Sequence, residues 1–195
     1  MLRVIGGSLR GRRFSAPPGR HTRPTADAVR EAIFNALGAL LELEGVHALD
    51  LFAGSGALGI EALSRGAAHC TFVESHARTA AGIRANLQAL GLPAARWQVV
   101  TARAEAWLPH ARLAPPVGLV LADPPYAYGG HDALLAALAA SALLAPGAVI
   151  VLEMARRQAL TAPARLAVVR TKVYGDTQVC TLQATATEPA GEVAP

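Results

Sequence analysis

Lysine is almost absent from this chain: Lys172 stands alone among 18 basic residues. Cysteine is nearly as scarce. Cys70 and Cys180 both fall in apolar runs that read as strands, so small buried hydrophobes are expected rather than a disulfide. His21, His47, His69, His76, His110 and His131 are scattered, and no Cys/His spacing suits zinc, so no metal is expected. No apolar run reaches the ~20 residues of a membrane-spanning helix. The N-terminus carries Arg3 and Gly6-Gly7-Ser8 instead of a secretory apolar region, and a cytoplasmic protein with no membrane partner is expected.

What is present is hydrophobic content, 52% over 195 residues, enough for one core and one domain. Charge is unevenly spread. Residues 1–30 hold seven arginines (Arg3, Arg10, Arg12, Arg13, Arg20, Arg23 and Arg30) against Asp27, while the rest of the chain has eleven basic and thirteen acidic residues. Guanidinium groups suit phosphates, and phosphate contacts fix register on a nucleic acid without reading its sequence. A solvated face inflated by a general arginine bias is the competing reading; the uneven distribution favours RNA.

Asp123-Pro124-Pro125-Tyr126 closes the apolar run Val117–Ala122, which reads as a buried strand. Each prolyl ring fixes φ, and Pro124 also restricts Asp123 to extended geometry. A carboxylate and carbonyls held this way beside an aromatic ring suit a planar, amine-bearing base, stacked on Tyr126 and donating its NH2 to Asp123 and a prolyl carbonyl. Upstream, Gly54, Gly56 and Gly59 have the G-x-G-x-x-G spacing between a strand and a helix start, and Glu74 ends the next apolar run 20 positions after Gly54. Such glycines admit a ligand close to the backbone, and an acid at the second strand end accepts from ribose hydroxyls. NAD domains share this spacing. Asp50, four residues before Gly54, would repel a pyrophosphate but suits the ammonium and sulfonium of S-adenosylmethionine; capping the turn through backbone N–H groups is its alternative role.

The strings RVIGG…RGR, RPTADAVREAIFNAL, LDLFAGSGALGIEALSRGA and DPPY occur in this order over residues 3 to about 126. In them the chain resembles the bacterial 16S ribosomal RNA guanine-N2 methyltransferases, the RsmD-type family, and the remaining strands match in order to about residue 184. DPPY is shared with other amino-group methyltransferases; the RPT…VRE…FN segment next to FAGSGALGIEALSRGA is more specific. The resemblance implies that Gly54, Ser55 and Gly56 wrap the methionine part of S-adenosylmethionine, that Asp50 meets its ammonium and that Glu74 holds its ribose. It makes Asp123, Pro124 and Tyr126 the catalytic residues. Phe52 is placed beside the cofactor, where it and Tyr126 are candidate walls for the base, although Phe52 suits the core equally. The position before Ala104, often Asn or Asp in the family, is here Arg103, which has no acceptor; a backbone contact near Ala104 is the expected adenine anchor. The implied partner is 16S rRNA in small-subunit particles or assembly intermediates, bound by a monomer.

Strand and helix patterns alternate from Val46: strands near 46–51, 69–74, 96–101, 117–122 and 147–152, helices near 57–65, 77–90, 103–110 and 131–143. Alternation predicts an α/β fold with a parallel sheet and helices on both faces. Leu166–Tyr174 and Gln178–Thr185 flank Gly175-Asp176 and predict a terminal hairpin. Seven strands closed by an antiparallel hairpin resemble the Rossmann-like class I methyltransferase architecture. Residues 1–24 are expected to form a basic RNA-binding arm, a β-hairpin whose removal to residue 20 leaves the sheet and cofactor site. Residues 25–185 form the methyltransferase domain and 186–195 a disordered tail. Thr25 is expected to cap a helix with Val29, Ile33, Phe34, Leu37 and Leu41 on its apolar side. On that helix Arg30 either faces cofactor or RNA, or pairs with Glu31 or a nearby carboxylate.

Overall fold

Two runs at the centre of the computed structural model, His47–Leu51 (β3) and Val117–Ala122 (β6), are buried on both faces and lie side by side in parallel, with Asp50 opposite Leu121 and Leu51 opposite Ala122. The structure describes residues 1–16 and 24–185. From β3 the chain steps outward through His69–Glu74 (β4) to Trp97–Thr101 (β5), then crosses back to β6 and on to Leu144–Ala155 (β7), all in parallel. The order therefore reverses between β3 and β6, and at such a switch point a crevice opens beyond the carboxyl ends of the strands.

Thr177–Ala184 (β9) inserts antiparallel between β7 and the edge strand Leu166–Tyr174 (β8), giving seven strands in the order β5-β4-β3-β6-β7-β9-β8. This is the expected terminal hairpin. β7 is longer than the expected 147–152, because a register shift opposite Val117 and Leu119 absorbs Pro146 and Gly147, which has φ +75°. Helices Pro24–Leu37 (α1), Ala57–Ser64 (α2) and Ala77–Ala89 (α3) fill one face with Ile33, Leu37, Ile60 and Ile83; Ala104–Trp107 (α4) and His131–Ala140 (α5) fill the other with Leu134, Leu135 and Leu138. α1 starts one residue before the expected Thr25 cap. Pro24 suits a first helical position, where its fixed φ is already helical and its missing N–H is not needed. Among the described residues no helix is long and apolar enough to cross a membrane.

At the N-terminus Leu2–Arg3 (β1) pairs antiparallel with Arg13–Phe14 (β2), and Val4 and Arg12 extend the ladder through a 2.9 Å bond. This hairpin belongs to the core. Val4 and Phe14 are 1% and 3% exposed within the cluster that holds α1–α3. Glu61 on α2 accepts the N–H groups of Ile5 and Gly6 at 2.9 and 2.7 Å, and Ser64 bonds to Ser8, Leu9 and Gly6. Deleting the hairpin would strip these partners and uncover apolar surface, so truncation to residue 20 should lower stability as well as RNA affinity. Residues 17–23, with Arg20 and Arg23, and the tail 186–195 lie outside the described residues.

At the amino ends of β3 and β4, His47 is buried with Nδ1 3.1 Å from the Pro115 carbonyl and Nε2 3.2 Å from Thr71 Oγ1 and 2.9 Å from His69 Nδ1. Burial lowers both histidine pKa values, and His47 lowers that of His69 further. The unfolded chain then takes up protons near pH 6.5 that the folded protein resists, so stability holds above this pH and declines below it. Urea unfolding from pH 8 to pH 5 should show a steeper acid decline in wild type than in His47→Gln.

Candidate active site at the switch point

The turn after β3 is built on positive φ angles: Phe52 (+59°), Gly54 (+56°) and Gly56 (+79°), the last at the N-cap of α2. Glycine adopts this region freely; a side chain there is strained, which makes Phe52 exceptional. Gly59 has a different duty. A Cβ on it would overlap the Phe72 ring and stand 2.7 Å from Cys70 Sγ, so the third glycine lets α2 lie close against β4.

Three carboxylates surround this turn. Glu74, at the end of β4, accepts the Gly54 N–H at 2.9 Å and the His76 N–H at 2.8 Å, with the Ser75 hydroxyl at 3.3 Å. Burial pushes its pKa up, but the bonds from His76, Gly54 and Ser75 outweigh it, and the net shift is downward. Asp50 is 1% exposed and accepts the Gly59 N–H at 2.9 Å, the capping role weighed as its alternative. Its pKa is pushed well up, first by burial and then by Asp123 and Glu74, with Gly59 opposing. Asp123 follows β6, half-buried, and Pro124 is buried, while Pro125 and Tyr126 are exposed. Carboxylates converging on a glycine turn accept hydrogen bonds and favour a cation; a nucleoside with a positively charged amino-acid arm fits this set better than a pyrophosphate does.

Ala104 is the buried first residue of α4, so its N–H has no acceptor within the helix. Arg103 just before it turns outward to Glu105 at 3.7 Å. The Ser55 carbonyl accepts from Asn86 Nδ2 at 3.4 Å, and the same amide pairs with both the N–H and the C=O of Ser15 at 3.0 Å. The glycine turn and the hairpin thus share one side chain, which sequence reading missed because its partners are 31 and 71 residues away. Tyr128 was missed as well. Two residues past Tyr126, its ring centroid lies 5.0 Å from that of Phe52; the run Tyr128-Gly129-Gly130 was the available signal.

The arginines divide by environment. Arg10 and Arg13 are exposed, as is Arg3, 3.4 Å from Asp27. Arg12 spends its guanidinium on the Leu90 and Ala89 carbonyls at 2.6 and 3.1 Å, closing the end of α3. Arg30 is 5% exposed and bonds to Asp27 at 3.0 Å and the Arg3 carbonyl at 2.7 Å, with Glu61 at 3.7 Å. Buried in this way, Arg30 takes the alternative of a pair with a nearby carboxylate, with Asp27 and Glu61 in place of Glu31. Among the described residues no cluster of His, Cys, Asp and Glu could hold a metal ion.

The chain is 40% identical over 181 residues to YlbH of Bacillus subtilis, covering 91% of this chain and 96% of that one. It is 38% identical over 175 residues to ribosomal RNA small subunit methyltransferase D of Escherichia coli, covering 89% of this chain and 85% of that one. The solved structure of yhhF from Escherichia coli superposes with a TM-score of 0.82 at 36% identity, over 95% of this chain and 99% of that chain. With residues 2–183 matching the model described as conserved hypothetical protein 95, the chain belongs to this family, the RsmD family.

Proposed function

We propose that the protein transfers a methyl group from S-adenosylmethionine to the exocyclic N2 of one guanine in 16S rRNA. The observation that carries this reading is the placement of the Asp123–Tyr126 loop at the end of β6, one strand from Asp50 and the glycine turn at the end of β3. A loop suited to a planar amine and a turn suited to a cationic nucleoside share one crevice. The name of the Escherichia coli relative supplies the substrate class, small-subunit rRNA.

When bound, the cofactor supplies an electrophilic methyl on sulfonium sulfur. Glu74 holds the ribose hydroxyls, Asp50 faces the ammonium, Gly54, Ser55 and Gly56 line the methionine part, and the Ala104 N–H anchors the adenine. Phe52 closes the space between the two ligands. On the substrate side, Asp123 and the Pro124 carbonyl accept the two N–H bonds of the amine, which orients its lone pair toward sulfur; positioning of this kind supplies much of the rate. Asp123 takes a proton late, after the nitrogen has become cationic, so it needs no raised pKa beforehand. Tyr126, 66% exposed, is free to stack on a base leaving its helix, and unstacking costs a few kcal/mol that a ribosomal loop reduces. Arg3, Arg10 and Arg13 contact phosphates, as does Arg23. The protein acts as a cytoplasmic monomer on small-subunit particles or assembly intermediates.

Calorimetric titration should give micromolar binding of S-adenosylmethionine, about −8 kcal/mol, and none of NAD; the reverse would make the protein an oxidoreductase. Tritium from labelled S-adenosylmethionine should then enter 16S rRNA in small-subunit particles from a strain lacking this enzyme, as N2-methylguanosine by nucleoside mass spectrometry. N6-methyladenosine, or label in duplex DNA, would overturn the substrate and leave the methyl transfer standing.

A further inference from the structure

The loop after β6 presents Asp123 and Tyr126 from a segment with no helix or strand of its own, and residues 125–127 are exposed. Something must hold it, because a misplacement of about 1 Å in a methyl-transfer geometry can cost on the order of a hundredfold in rate. Tyr128 is where the loop is tied down. Its N–H donates to the Pro125 carbonyl at 2.7 Å, closing a turn around the exposed residues, and its own carbonyl accepts from Gln158 Nε2 at 3.2 Å. The ring sits edge-on between Phe52 and His131, with both centroids 5.0 Å away. Gln158 is fixed in turn by His131 Nδ1 at 2.8 Å. Gly130 leaves room for this ring: a Cβ there would come within 2.9 Å of the phenol oxygen.

Burial first, and then the negative charge of Glu105 on α4, push the phenol pKa up to about 12. Tyr128 thus touches Phe52 beside the glycine turn and His131 at the start of α5, while its backbone closes the substrate loop. The Phe52 backbone, at φ +59°, is strained and persists only where surrounding contacts over-determine it; the Tyr128 ring is one such contact.

We infer that Tyr128 is a positioning residue that sets the Asp123–Tyr126 loop against the cofactor half of the site, acting through Phe52, His131 and Gln158 without touching the reacting atoms. This rests on the proposed methyl transfer at that site. Tyr128→Leu, which keeps apolar volume against Phe52, should lower kcat roughly 10- to 100-fold, while affinity for S-adenosylhomocysteine stays within about threefold because Gly54, Gly56 and Glu74 keep their own contacts. Tyr128→Phe keeps the ring and should restore kcat to within about threefold of wild type. Gln158→Ala, a loop substitution that spares the rings, should lower kcat by roughly three- to tenfold. Circular dichroism and melting temperature check folding, and Asp123→Ala is run alongside. Wild-type kcat in both Tyr128→Leu and Gln158→Ala would overturn the inference, as would a loss of S-adenosylhomocysteine affinity parallel to the loss of rate, the mark of a merely structural residue. If Asp123→Ala itself retained turnover, the proposed reaction centre would be the part that fails.

Discussion

Asp123→Ala should reduce methyl transfer by about 10²- to 10⁴-fold, the range that removal of a positioned proton acceptor produces, and change the affinity for S-adenosylmethionine by less than about threefold. The carboxylate stands beyond β6, whereas the groups assigned to the cofactor come from the ends of β3, β4 and β5. Asp123→Asn keeps a carbonyl acceptor for one amine hydrogen but cannot take up the late proton, so its rate should fall between wild type and the alanine variant. Single-turnover kinetics on small-subunit particles, paired with calorimetry on the cofactor, separates the two effects. Near-wild-type turnover in Asp123→Ala would remove Asp123 from the reaction.

The largest effect on stability should come from Glu61→Ala. This carboxylate is 1% exposed and receives the Ile5 and Gly6 N–H groups, Arg65 Nε at 2.8 Å and Arg30 Nε at 3.7 Å. Its loss leaves a buried guanidinium with half its counter-charge and two backbone donors without acceptors. Breaking such a buried pair costs about 3–5 kcal/mol, or roughly 10 °C in a protein of this size. The damage should be greatest at the hairpin: hydrogen exchange at Ile5, Gly6 and Leu9 should accelerate more than exchange in β3 or β6. A melting temperature within about 2 °C of wild type would show that the hairpin is held mainly by Val4 and Phe14.

The sheet was legible because its evidence is local. Apolar runs with Asp50, Glu74 and Asp123 at or next to their ends marked three strand ends, and the sheet sets these three strands side by side. The glycine spacing was equally readable, although it did not reveal that Gly59 serves helix packing. Arg30 misled because a sequence gives charge without burial. The sequence left it between a cofactor or RNA contact and an ion pair; in the fold the Arg3 carbonyl of the hairpin, Asp27 of its own helix and Glu61 of α2 surround it. Glu61 attracted no notice for the same reason: its ligands are 55 and 56 residues away. Tyr128 was overshadowed by Tyr126, which fits the amine-binding motif by spacing but is the more exposed of the two rings.

The hairpin's attachment has a bearing on how the chain is made. Residues 2–16 leave the ribosome before the groups that fix them: Glu61 and Ser64 lie 55–58 residues onward, Asn86 lies 71 onward, and the carbonyls that receive Arg12 lie 77 and 78 onward. At about 5–20 residues per second, several seconds of synthesis separate Val4 and Phe14 from the helices that cover them. During that interval the first segment is an unanchored arginine-rich strand, unable to dock until α3 is complete. The hairpin is made well before the surface that receives it exists.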